Sequence, residues 1–197
     1  MQKKGTHMSK VRTLDLKSIS FEQHVLAFLS ELVGKFCIEE NFITISEMGV
    51  TFNGTTGTLQ LSFDTRENAE EYISKNRANA QSDSAGEFSG HPPDYAFDFY
   101  KNLKNFYEFE EWRDWYEGGE ENEDTVLEIV DLSGATHSFT SAANYPINDV
   151  AVKLLVPIVK KFTASEEFKK LAKSKPFRVG VDTWPDGEMH YWLFENA

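Results

Sequence analysis

One cysteine in 197 residues, Cys37, leaves nothing to bridge and no thiolate set for zinc. A disulfide-stapled scaffold and a cysteine-rich zinc module are both excluded. Long apolar runs are missing too. The longest, Leu154 to Val159 with Pro157 inside it, falls far short of the roughly 20 residues a bilayer needs. Met1 to Lys10 carries Lys3 and Lys4 and no apolar stretch, so neither a secretory leader nor a membrane span is expected. Bases are scarce: 20 Lys and Arg face 32 Asp and Glu, a formal charge of −12. That is the wrong sign for a chain that grips phosphates over its whole surface, so direct nucleic-acid binding is not expected. A free thiol without a bridge points to the reducing cytoplasm.

Catalytic and metal-binding patterns are also lacking. His7, His24, His91, His137 and His190 show no ligand-type spacing, and each reads as a packed or half-exposed residue. Gly54-Thr-Thr-Gly57 lacks the lysine of a phosphate loop and leads into a strand signal. No Gly-x-Ser-x-Gly elbow occurs. Glu117 to Asp124 is acidic but lacks the alternating Asp/Asn–Gly pattern of a calcium loop. Cys37 closes an apolar helix pattern, where burial rather than reactivity is the default. No metal, cofactor or catalytic residue is expected.

What the chain has is enough apolar content to fold: 40% hydrophobic and 14% aromatic residues. Its length suits one α+β domain over 19–197 behind a loose tail, 1–18. Ser20 and Gln23 suggest a capping box opening a helix. In that helix Phe21, Val25, Phe28, Leu29, Leu32, Val33 and Phe36 recur on one face. Strand signals at Phe42–Ile45, Val50–Phe52 and Leu59–Phe63 flank Asn53–Gly57, a hairpin turn. Asp64 or Thr65 caps a polar helix to about Ala78, and Gln81–Pro93 reads as a loop. A helix from Asp94 ends at Gly118-Gly119. A second hairpin joins Thr125–Val130 to Ala135–Thr140. A helix over Ile147–Phe162, kinked or interrupted by Pro157, precedes a short one capped at Thr163 or Ser165 and running to about Lys173. Phe177–Trp184 and Glu188–Phe194 flank the turn Pro185-Asp186-Gly187. About three hairpins with four to five helices predict a largely antiparallel sheet with the helices packed against it.

Charge is uneven along the chain. Glu108 to Asp131 holds eleven acids and one base, Arg113, whereas Lys153 to Arg178 holds eight bases and two acids. Clustered charge of one sign focuses field lines and speeds encounter with an opposite partner. Helical phase adds a further feature. At 100° per residue, Tyr95, Phe99, Tyr100, Leu103, Phe106 and Tyr107 share an arc of about 0–140°. Beyond Glu108 the pattern inverts. Phe109, Trp112, Trp115 and Tyr116 fall at about 200–320°, and Glu110, Glu111, Asp114 and Glu117 take the arc where the earlier rings pointed. A straight helix would bury four carboxylates at several kcal/mol each. Either the helix breaks near Glu108 and rotates its second aromatic set inward, or it projects with rings on one side and acids on the other.

The projecting form makes a docking surface for a basic protein. Glu110, Glu111, Asp114, Glu117, Glu120, Glu121, Glu123 and Asp124 would supply charge, and Trp112, Trp115 and Tyr116 the anchors. In size, acidity and lack of a catalytic signature the chain resembles, in general character, bacterial immunity proteins that plug a toxin's active site. That resemblance implies a non-catalytic inhibitor of a basic toxin, for example a nuclease. Two alternatives stand beside it. One is a phage-type nucleic-acid mimic aimed at a defence nuclease. The other is an enzyme or small-ligand binder with an aromatic-lined pocket among Tyr95 to Tyr116, Tyr191 and Trp192.

Overall fold

A computed structural model describes residues 10–76, 96–97, 106–120, 125–140, 145–184 and 190–194. Within the stretch read as a tail, Val11–Asp15 forms strand β1, which corrects that reading from residue 11 onward. Strand β1 runs parallel to β5 (Val126–Val130). Leu14 and the following Leu16 are buried in the core. Only Val11 and Leu14 are apolar in β1, too few to display a period of two.

A tight turn leads into α1 (Phe21–Glu39). The Lys17 N–H donates to Asp15 Oδ1 at 2.9 Å, and the Phe21 N–H donates to the Leu16 carbonyl at 3.0 Å. This winding leaves Ser20 left-handed at φ 51°, with no side-chain cap on the helix. The expected capping box does not form, because a capping serine needs an extended backbone. The seven positions expected on the apolar face of α1 are nonetheless the seven that are buried.

Strands β2 (Ile45–Asn53) and β3 (Thr58–Asp64) pair antiparallel across a turn held by Asn53. Asn53 Oδ1 accepts from the Thr55 and Thr56 N–H groups at 2.9 and 3.1 Å. Helix α2 (Arg66–Asn76) follows, with Thr65 Oγ1 accepting from the Asn68 N–H at 3.2 Å. The loop expected at Gln81–Pro93 lies outside the described residues. The helix expected from Asp94 to Gly119 is interrupted: Phe106–Glu108 is strand β4, and Glu110–Glu120 is helical, as α3. Most of the stretch before β4 lies outside the described residues.

Strands β5 and β6 (Thr136–Thr140) pair antiparallel. Helix α4 (Tyr145–Phe162) continues through Pro157, and α5 (Glu166–Lys169) is capped by Ser165. Strand β7 (Lys173–Trp184) pairs antiparallel with β8 (His190–Phe194) and parallel with β2.

The described residues thus form an α+β fold with two sheets rather than one, ordered β1-β5-β6 and β4-β3-β2-β7-β8, and mostly antiparallel. One face of the larger sheet is apolar. Met48, Val50 and Phe52 of β2, Leu59, Leu61 and Phe63 of β3, and Phe177, Val179 and Val181 of β7 are all fully buried. They share one core with the inward faces of α1 and α4. No described helix is long and apolar enough to cross a membrane.

The β5–β6 turn contains a local charge cluster. Asp131 Oδ1 accepts from Ser133 N–H and Oγ and from the Ala135 N–H at 2.6–2.9 Å, and Oδ2 lies 2.9 Å from His137 Nε2. The Ser133 hydroxyl first, then His137, hold its carboxyl well below the usual carboxylate range. A carboxyl depressed in the fold stabilises it above the unfolded value of about 3.9, and that contribution is lost as pH falls through the folded value. Asp131→Ala should therefore cost about 2 kcal/mol at pH 7. In urea titrations the gap to the parent should narrow below about pH 4.

Candidate functional site

The acidic segment is bolted to the body through its rings. The Phe109 N–H donates to the Gly57 carbonyl at 3.0 Å, which seats the first turn of α3 on the β2–β3 hairpin. Gly57 sits at φ +68°, and a Cβ there would lie 3.0 Å from both the Phe109 carbonyl oxygen and Trp112 Cβ. Trp112 is 0% exposed. Its ring centroid lies 5.7 Å from Phe21 and 4.9 Å from Phe52, and Nε1 donates to the Gly54 carbonyl at 2.8 Å. Trp115, 4% exposed, donates from Nε1 to the Arg12 carbonyl of β1 at 2.9 Å. Tyr116 is buried beside it.

This arrangement corrects the docking-anchor expectation for Trp112, Trp115 and Tyr116. The inversion at Glu108 is resolved by β4, which interrupts the expected helix and lets α3 start in a new phase with its rings inward. Burying two indoles and a phenol with their N–H groups satisfied outweighs exposing them. Gly118 and Gly119 lie inside α3 instead of ending it. A Cβ at Gly118 would fall within the Arg12 guanidinium and one at Gly119 within the Leu127 side chain, so both positions allow close approach of the helix to β1 and β5.

The opposite face of α3 carries Glu110, Glu111, Asp114 and Glu117, all exposed. The helix thus brings four of the expected docking acids together. Glu120 ends α3, and Glu121, Glu123 and Asp124 lie outside the described residues. Arg113, the base within this segment, is engaged by its own neighbours. It pairs with Glu108 and reaches Asp114 Oδ1 at 3.6 Å. Glu108 first, and then Asp114, favour its charged form. Arg12 Nη2 donates to the Asp114 backbone carbonyl at 3.1 Å. Glu110, Glu111 and Glu117 form no ion pair among the described residues.

Beside this face opens a cleft of about 400 Å³, lined by His24, Phe106, Tyr107, Glu108, Glu110 and Glu111. The Tyr107 hydroxyl and His24 Nδ1 are hydrogen-bonded at 2.6 Å. Burial first, then the Glu111 and Glu110 carboxylates, push the Tyr107 phenol up, so it keeps its proton near neutrality. Phe106 and Tyr107 lie in the stretch expected to line an aromatic pocket, but the sequence gives no sign that His24 joins them, because α1 is remote along the chain from β4 and α3.

A second set escapes the sequence reading. Glu47, Thr51, Ser62, Asp64, Arg178 and Asp182 occupy the polar face of the larger sheet, yet all are buried. Period-two alternation marks one face of these strands as polar but carries no signal that the face is covered. Arg178 donates from Nε to Glu47 Oε1 at 2.7 Å, and the Tyr191 ring centroid lies 4.8 Å from its guanidinium carbon. Burial pushes the Cys37 thiol up, as expected of a packed cysteine. Among the described residues, no group of three or more His, Cys, Asp or Glu is placed to hold a metal ion. Comparison with protein-family models, with curated proteins and with solved structures finds no match to this chain.

Proposed function

We propose that this chain is a non-catalytic binding protein that neutralises a basic protein partner through the carboxylate face of α3. The finer form of the reading is an immunity-type inhibitor that covers the basic cleft of a toxin such as a nuclease. One observation carries it: Glu110, Glu111, Asp114 and Glu117 stand exposed on a helix whose other face is fixed in the core. Rigid placement matters because a backbone already ordered in the helix gives up no further freedom on docking. Clustered carboxylates in one arc, of which Asp114 alone reaches a base (Arg113) among the described residues, speed encounter with a cationic surface and match guanidinium groups on contact.

The direct test is a pull-down from the native source at low salt, eluted with a salt gradient. The parent should retain a basic protein and release it as the Debye length falls below about 8 Å. A chain with Glu110→Lys, Glu111→Lys and Asp114→Lys should associate about 100-fold more slowly or not at all. Its circular dichroism should match the parent's. Some thermal stability should be lost, because carboxylates in a first turn favour the helix dipole. Equal retention by the reversed chain would overturn the proposal. The inhibitor form further requires that the released protein lose activity on adding the parent back.

A further inference from the structure

The outer edge of β4 tells more about the partner, on the basis of the basic-partner reading above. In the β3–β4 ladder Tyr107 faces Leu59 and Phe106 faces Gln60. With the Phe109 N–H bonded to the Gly57 carbonyl, alternation of narrow and wide pairs makes Tyr107 the next residue bonded to β3. Phe106 and Glu108 therefore turn their N–H and C=O groups away from β3. Among the described residues β4 ends the strand order.

The cleft of about 400 Å³ follows this edge. Side chains alternate across a strand, so its walls come from both faces. Tyr107 and His24 form the wall on the core side, and Phe106, 40% exposed, lies with Glu108 on the other. Glu110 and Glu111 close one end without an ion-pair partner among the described residues. An edge so short and so acidic repels a second copy of a chain carrying −12. The same charge admits a basic strand.

We propose that this edge receives an extended, arginine-bearing segment of the basic partner as an added strand. Its main chain pairs with Phe106 and Glu108, as in other strand-addition complexes. A guanidinium then lies over the Phe106 ring and meets Glu110 and Glu111.

The probe is a blocked peptide of about nine residues alternating arginine and valine, compared with the same peptide N-methylated on alternate residues. N-methylation keeps the charge and removes the donors that strand pairing needs. Titration followed by amide NMR should centre the shifts on Phe106–Glu108. The N-methylated peptide should bind about tenfold more weakly or worse, and the Glu110→Gln/Glu111→Gln chain should lose a similar factor for the unmodified peptide. Equal binding of both peptides, or shifts centred on Asp114 and Glu117, would mean attraction by charge alone. The strand-addition proposal would then fall while the basic-partner reading stood. No binding at low salt would overturn strand addition as well, and the basic-partner reading would still be judged separately by the charge-reversed chain.

Discussion

Arg178→Met should destabilise the protein by about 3–5 kcal/mol, seen as a lower urea midpoint with an unchanged slope. Arg178 is 2% exposed and Glu47 is 0% exposed, and their side chains meet twice at Glu47 Oε1, from Nε at 2.7 Å and from Nη2 at 2.5 Å. Two charges taken from water are tolerated because they face each other. Methionine fills much of the arginine volume but returns no charge. Glu47 would then remain buried, next in register to Asp64 on β3, with like charge where a guanidinium had balanced it.

A companion variant separates the loss of a partner from the worth of the pair. Glu47→Leu together with Arg178→Met removes both charges, and most of the single-variant loss should return. Buried pairs replaced by apolar residues are often neutral or stabilising, because no desolvated charge is left behind. A double variant as unstable as Arg178→Met alone would mean that the pair itself, rather than the carboxylate that has lost its guanidinium, holds β2 and β7 together.

Legibility in the sequence follows how local each signal is. The α1 core face is set by spacing within one helix, and the seven positions expected on that face are the buried ones. The antiparallel pairing of β2 with β3, β5 with β6 and β7 with β8 follows from alternation and turn residues close along the chain. The parallel pairings of β1 with β5 and β2 with β7 join distant segments, so no nearby turn announces them. The division into two sheets is hidden for the same reason. Ser20 misleads because its identity suits a cap while its backbone is set by the turn before it. At the candidate site, phase places the acids and rings of α3 on opposite faces correctly. Which face points inward depends on β4, a strand of three residues that interrupts an otherwise helical pattern.

That orientation makes Trp112→Ala the sharpest test of the site. Removing a fully buried indole should cost about 3–5 kcal/mol, because the cavity can close only partly around Phe21, Phe52 and Phe109. Trp112→Phe keeps a ring but removes the donor to the Gly54 carbonyl, 2.8 Å away, and should cost about 1–3 kcal/mol. Both changes act on folding: where Trp112→Ala still folds, loosening α3 on the hairpin should weaken binding along with stability. An exposed docking anchor would behave the opposite way, losing affinity while stability stayed within about 0.5 kcal/mol of the parent. The charge reversals on the outer face should abolish binding and keep the fold, with a loss of stability well short of that of Trp112→Ala. The two faces of one helix are thus separable, one measured by urea and the other by salt. A Trp112→Ala chain as stable as the parent would place the indole outside the core and restore it as a docking anchor.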